Sequence, residues 1–408
     1  MADPAPASRA PADSASRAGA PPLRRRDVQA LRALAVLLVV VDHFWPSRLL
    51  PGGYVGVDVF FVISGYLITG HLLRELRGTG TVDLKAFLGR RARRLLPAAA
   101  LVTLVATVLA RAALPREDWT RTAVEGVGAA LYAQNWLMAL STIPELSPDG
   151  LPTPFQHFWS LSVEEQFYLA WPVLLLLAVR GELRRGAADG GRRRVLVLVA
   201  AATALSFVVG VVHTELSSQT AYFATWTRAW EFGVGALVAL GVGVPRRAVT
   251  ARVLVVLGWA VLAACGVLFH GVAFPGVGAL APVLAAAAII AGGEAVPRTG
   301  LEVLTDRRPV QWLGNASYSV YLWHWPLFLV LPFLLGRTPS DADLVLLSAG
   351  VLVLAGATYR WVELPGTRWR WARAAPGRTV AVAAGITAVS LATSLGLGFA
   401  AGWTPPAD

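Results

Sequence analysis

Apolar residues fall along this chain in long blocks, not in the narrow stripes of helices that bury one face in a soluble core. The blocks lie at about 28–46, 54–73, 95–112, 160–179, 195–213, 227–243, 252–269, 276–293, 315–335, 343–361 and 379–400. Each is roughly 17–22 residues, the length of a helix crossing a hydrocarbon layer about 30 Å thick. The pattern predicts an all-α, polytopic membrane domain of ten core transmembrane helices plus an eleventh. Residues 120–141 carry too many polar positions for a span and predict an amphipathic segment lying at the interface. Residues 1–23 are mostly Ala, Pro, Ser and Asp, cannot bury a core, and predict a disordered tail.

Charge between the blocks sets a direction. Arg24, Arg25 and Arg26 precede the first block with no small-residue cleavage site after it, so the first helix is retained with its N-terminus inside. Alternate loops are then dense in arginine. One holds Arg74, Arg77, Lys85, Arg90, Arg91, Arg93 and Arg94, and another Arg180, Arg184, Arg185, Arg192, Arg193 and Arg194. The intervening segments hold only Arg48, Arg111, Arg116, Arg121, Arg228 and Arg337, and the longest is acidic, with Glu117, Asp118, Glu125, Glu145 and Asp149. This asymmetry places the dense loops in the cytoplasm. Reading 120–141 as a full span would destroy it. The expected organisation is a tail over 1–23, a membrane domain over 24–365 and a cytoplasmic loop with an eleventh helix over 366–401. An extracytoplasmic linker then begins at 402–408. The protein is expected in the cell membrane, N-terminus cytoplasmic and C-terminus extracytoplasmic.

Composition agrees. The chain has 408 residues, 55% hydrophobic and only 15% charged, whereas a soluble protein is nearer a quarter charged. Its net charge of +11 is almost all arginine, with Lys85 the single lysine. In a soluble protein that balance would suggest nucleic acid. Here orientation in the lipid accounts for it, so membrane lipids and not nucleic acids are the expected partners. Cys265 stands alone in an apolar block, and no disulfide framework or Cys/His metal spacing appears; no metal is expected.

The chemistry is concentrated in ionisable groups inside the blocks, which are costly there and point to function. Arg32 and His43 are eleven positions apart in the first block, roughly three helical turns, so they share a face about 16 Å apart along the axis. Asp42 and His43, Asp58, the pair Glu164 and Glu165, and Arg228 with Glu231 fall near the outer ends of four different blocks. Four spans with charge in one layer suggest a shared polar cavity, or else mutual ion pairing that assembles the helices. On the inner side, Arg90, Arg91, Arg93 and Arg94 open the third block. Arginine forks grip phosphates, although the same cluster also reads as a plain cytoplasmic anchor. Joined together, these features suggest a phosphorylated donor docked on the inner arginines and an acceptor in the outer cavity. His43 would be the general base, oriented by Asp42, Asp58 or a glutamate. His324, in the ninth block, lines the same cavity or packs among aromatics. No nucleophile elbow or Walker loop is present.

These segments, taken in order, resemble the acyltransferase-3 family of integral membrane acyltransferases. The matching pieces are Arg32-x10-His43, Gly56-Val-Asp58-Val-Phe-Phe-Val-Ile-Ser-Gly65-Tyr-Leu and Arg91-x-x-Arg94. They continue with Phe158-Trp-Ser160-Leu-Ser-Val-Glu164-Glu165-Gln-Phe-Tyr-Leu, Arg228-x-x-Glu231-Phe-x-x-Gly235 and Ser317-Tyr318-Ser-Val-Tyr-Leu-Trp-His324-Trp-Pro326. The resemblance covers about residues 27–365. It implies transfer of an acyl group, commonly acetyl, from cytoplasmic acyl-CoA to a hydroxyl of a cell-envelope glycan or similar acceptor. It makes Arg32 and His43 the essential pair and Arg91 and Arg94 the donor-side arginines, with Arg90 and Arg93 beside them. Asp58, Glu164 and Glu165 join the catalytic candidates; Asp42, Arg228, Glu231, Tyr318 and His324 are candidates for the substrate side. A branch of the family adds an eleventh helix and an extracytoplasmic SGNH-type domain that takes part in transfer; this chain shows the helix without that domain. A transporter or flippase moving an acyl group or lipid-linked sugar is the competing expectation, weakened by the lack of an internal repeat.

Overall fold

All eleven apolar blocks form helices in the computed structural model, which describes residues 25–46, 48–141, 152–183, 188–269, 274–296, 300–369 and 376–402. The expected tail over 1–23 lies outside the described residues, as do most of the acidic segment around Glu145 and Asp149 and all but the first residue of the expected linker. Among the described residues there is no strand.

The bundle is built from α1 (Arg26–Phe44), α2 (Gly56–Thr79), α3 (Leu84–Ala113), α6 (Phe158–Leu183), α7 (Ala188–Leu216), α9 (Thr225–Ala239), α10 (Ala248–Leu268), α11 (Leu280–Ala295), α13 (Arg308–Leu335), α14 (Asp341–Thr358) and α16 (Pro376–Ala401). Shorter elements are α4 (Trp119–Ala130), α5 (Gln134–Ser141), α8 (Ser218–Phe223), α12 (Glu302–Thr305) and α15 (Leu364–Arg368). A π-helical turn, Tyr359–Glu363, joins α14 to α15.

Nine of these helices, among the described residues, are long and apolar enough to cross a membrane; α1 and α9 are not. Those two fall short of that measure for physical reasons. Helix α1 carries Asp27, Arg32 and Asp42 within 19 residues. Helix α9 has only 15 residues, about 22 Å of rise against a hydrocarbon layer of about 30 Å. Both are instead enclosed by protein. Val36, Val39, Val40 and Phe44 of α1 join a cluster with α2, α3, α6 and α13. Val28, Leu31, Ala35 and Leu38 on its other side join a cluster with α2, α10 and α11. The outer helices show the opposite pattern: Leu205 and Val208 on α7, Leu346 and Val353 on α14, and Val380 and Val389 on α16 are exposed. Apolar side chains facing outward along whole helices suit lipid contact.

Residues 120–141 do not span. They form α4 and α5, broken near Tyr132, whose φ of 52° is left-handed, and α4 packs on α3 and α16.

Close helix approach rests on small residues, as in lipid. A Cβ on Gly65 would lie 1.9 Å from the Phe232 carbonyl oxygen, and one on Gly235 2.0 Å from that of Val62, so α2 and α9 touch backbone to backbone. Likewise a Cβ on Gly314 of α13 would lie 2.0 Å from the Gln29 carbonyl of α1. Gly65→Val is expected to destabilise the bundle by about 1–3 kcal/mol, as overpacking does, read by thermal unfolding of the purified protein; unchanged melting would mean that α2 and α9 part without penalty.

Candidate functional site

Helix α13 registers α1. Arg32 donates to Ser317 Oγ through Nη2 at 2.9 Å and Nε at 3.2 Å. His43 Nδ1 lies 2.9 Å from His324 Nε2. The shared face predicted for Arg32 and His43 is therefore real, and it faces α13.

The histidine contact has a definite proton arrangement. His324 Nδ1 lies 2.6 Å from the Tyr321 carbonyl oxygen. A carbonyl only accepts, so Nδ1 carries the hydrogen and Nε2 offers a lone pair. His43 must then donate from Nδ1, which leaves its Nε2 as the proton-free nitrogen. The side chain that orients His43 is thus His324 and not Asp42, which is half-buried and makes no hydrogen bond to His43. His43 also meets Trp325 edge-on at 4.7 Å between centroids, and His157 stands edge-on to His324 at 5.7 Å.

Toward the arginine-rich side lies a cavity of about 100 Å³ among α1, α2, α3, α6 and α13, lined by Arg32, Ser64, Arg91, Arg94, Glu164 and Ser317 together with Tyr168, Tyr318 and Tyr321. Its end nearest the histidines is closed by Ser160 and Tyr321, whose hydroxyls are 2.6 Å apart. The Tyr321 ring is 5.2 Å from that of His324. Along these contacts Tyr321 and then His324 stand between the cavity and His43.

The four clustered arginines of α3 divide among three surroundings. Asp83 caps the helix by accepting from the Ala86 amide at 2.9 Å, which sets its phase. At about 100° per residue, Arg91 and Arg94 share one face, and both line the cavity. The Arg91 guanidinium lies over the Tyr168 ring at 3.3 Å, a cation–π contact. Arg94 Nε donates to Glu363 at 3.3 Å, and the other Glu363 oxygen accepts from Ser319 at 3.2 Å. Arg90 instead turns to His71 and Glu75. Arg93 is buried against Thr379 of α16. Arg90 and Arg93 are thus corrected from donor-site candidates to helix-packing contacts.

The carboxylates divide in the same way. Glu164 sits in the cavity wall, where Ser64 and Tyr168 both hydrogen-bond to it. It faces the arginines and not the His43 layer. Glu165 lies behind it, within electrostatic reach of Arg91, and does not line the cavity. Asp58, Arg228 and Glu231 are 0% exposed. They form their own cluster, with Arg228 Nη2 3.1 Å from Asp58 Oδ1 and Arg228 Nε 3.0 Å from Glu231 Oε1. The rings of Tyr222 and Phe274 stand 5.4 and 5.3 Å from the guanidinium. Of the two readings of these charges, mutual ion pairing holds for Asp58, Arg228 and Glu231, none of which lines the cavity beside Arg32 and Arg91. Tyr318 lines the cavity while its hydroxyl donates to the Leu95 carbonyl at 3.1 Å.

Several site residues went unpredicted. Ser317 and Ser64 lie inside motifs already singled out, and Tyr168 follows Glu164 by four positions, so helical spacing could have suggested it. Glu363 had no signal, because its direction depends on the π turn.

Comparison with known proteins gives the family. The acyltransferase domain of the acyltransferase-3 family matches residues 25–362, and the chain belongs to that family. It is a multi-pass membrane protein. It is 29% identical over 359 residues, 83% of this chain and 55% of the relative, to the peptidoglycan O-acetyltransferase OatA of Listeria monocytogenes. It is 31% identical over 352 residues, 82% of this chain and 54% of the relative, to the putative peptidoglycan O-acetyltransferase YrhL of Bacillus subtilis. A putative O-acetyltransferase of Staphylococcus aureus is 28% identical over 82% of this chain and 56% of its own length. The chain thus spans about half the length of the curated relatives it matches. No solved structure matches it significantly.

Proposed function

We propose that this chain transfers an acetyl group from acetyl-CoA, entering from the arginine-rich cytoplasmic side, to a hydroxyl of an envelope glycan of the peptidoglycan kind. The observation that carries the reading is the chain from Tyr321 through His324 to His43, which leaves His43 Nε2 free to accept a proton above a cavity rich in arginine. In that cavity three arginines face one carboxylate, an excess suited to an anionic donor. His43 Nε2 takes the proton of the acceptor hydroxyl as its oxygen attacks the thioester carbonyl. The carbon–sulfur bond then breaks, and the departing thiolate recovers the proton from His43. His324 holds the imidazolium in the interim, the role an aspartate plays in a hydrolase triad. For transfer the thioester reaches past Tyr321 and Ser160.

The test is the purified full chain in nanodiscs with radiolabelled acetyl-CoA and peptidoglycan fragments. Label is expected in the acceptor with release of free CoA. Arg91→Gln with Arg94→Gln is expected to raise KM for acetyl-CoA about tenfold or more, since each removes a charge-assisted contact. Label confined to acetyl-CoA would overturn the reading.

A further inference from the structure

The cavity below His43 holds only about 100 Å³, while pockets for drug-sized ligands run roughly 300–1,000 Å³. It suits an acyl thioester and its narrow arm, and has no room for a nucleotide. A second cleft of about 790 Å³ opens on the same arginine-rich side, between the start of α1, the end of α2, the end of α9 and α11. The two spaces adjoin: Leu67 lines both. Gln29 in the second cleft and Arg32 in the first are one turn apart on α1.

The cleft carries Arg25, Arg74 and Arg77, with Glu294 as its acidic member. Arg25 is already matched. It pairs with Asp27 at 2.6 Å and with Glu294, and donates to Tyr66 at 2.6 Å and to the Ile290 carbonyl at 2.8 Å. That knot ties α1 to α2 and α11. Arg74 and Arg77 are different. They sit one turn apart on α2, are exposed, and hydrogen-bond or ion-pair with nothing among the described residues. Arg192 closes the rim nearby, donating to the Leu240 carbonyl at 3.0 Å. The cleft thus offers two unengaged guanidinium forks, the geometry that grips phosphate oxygens.

We propose that this cleft seats the phosphates of the nucleotide end of acyl-CoA, with Arg74 and Arg77 as their ligands, while the pantetheine arm passes Leu67 into the Arg32–Arg91–Arg94 cavity. This rests on the acetyl-CoA reading above and adds to it where the nucleotide lies. An anionic phospholipid headgroup shares the same phosphate chemistry. The junction at Leu67 with the smaller cavity favours the donor.

The experiment uses the full chain in nanodiscs and compares acetyl-CoA with acetyl-3′-dephospho-CoA. Wild type is expected to prefer acetyl-CoA. Arg74→Gln with Arg77→Gln is expected to raise KM for acetyl-CoA about tenfold, with the loss concentrated in KM, and to erase that preference. The single variants, read separately, are expected to fall between. A KM within twofold of wild type with the preference intact overturns the proposal. So does loss of bound phosphatidylglycerol from the double variant, seen by native mass spectrometry, while KM stays unmoved. Failure of the wild type to use acetyl-CoA at all overturns the donor reading itself, and is seen before any variant is compared.

Discussion

Replacing His43 by alanine is expected to lower acetyl transfer by about 10²–10⁴-fold, the range a positioned general base contributes, with melting close to wild type. His43 is half-buried, its Nδ1 is occupied by His324 at 2.9 Å, and in the proposed reaction Nε2 is the nitrogen left for the acceptor. His324→Ala is expected to lower transfer by a smaller factor, because the base remains but loses the partner that fixes its tautomer. Asp42→Asn is expected to change transfer little, since Asp42 makes no hydrogen bond to the base. Initial rates with radiolabelled acetyl-CoA decide it. Full activity in His43→Ala would remove the residue from the chemistry, and a collapse in Asp42→Asn would return the orienting role to the carboxylate.

The second large effect is structural. Arg228→Met is expected to destabilise the protein by about 3–5 kcal/mol, because it strands buried carboxylates without a counter-charge. Asp58 and Glu231 are both 0% exposed and both face the guanidinium. Asp58→Asn in the Arg228→Met background is expected to recover part of the loss, since one stranded charge disappears with it. Unfolding of the purified variants measures both. A variant that melts like wild type yet has lost transfer would move the cluster from assembly into the reaction.

Surface pairs stand at the other end of the scale. Arg48 and Asp341 join the end of α1 to the start of α14 at 3.0 Å, with side chains 65% and 59% exposed. Exposed pairs of this kind contribute about 0–1 kcal/mol.

The path of the chain through the bundle was legible because hydropathy is a local property. Block bounds matched helices such as α10 and α11 to within four residues at each end, and the polar content of 120–141 already argued against a span. The face shared by Arg32 and His43 followed from helical period alone. Among the described residues, nine of the eleven helices are long and apolar enough to cross a membrane. Its charges Asp27, Arg32 and Asp42 already set α1 apart from a lipid-facing helix such as α14, but which neighbours enclose it is decided by packing.

The same division runs through the site. By itself the sequence determined the helical membrane class, the family, and a short roster of charged groups that lipid would not tolerate without a reason. Only the tertiary structure decided how that roster is divided. It sent Arg91 and Arg94 to a cavity and Arg93 to α16. It joined Asp58 to Arg228 and not to His43, and it gave His43 a histidine for a partner. Residues such as His324 and Glu363 are about 280 and 270 positions from the groups they touch, His43 and Arg94. Periodicity reports what lies on one helix face; what stands opposite that face is set by how the helices pack.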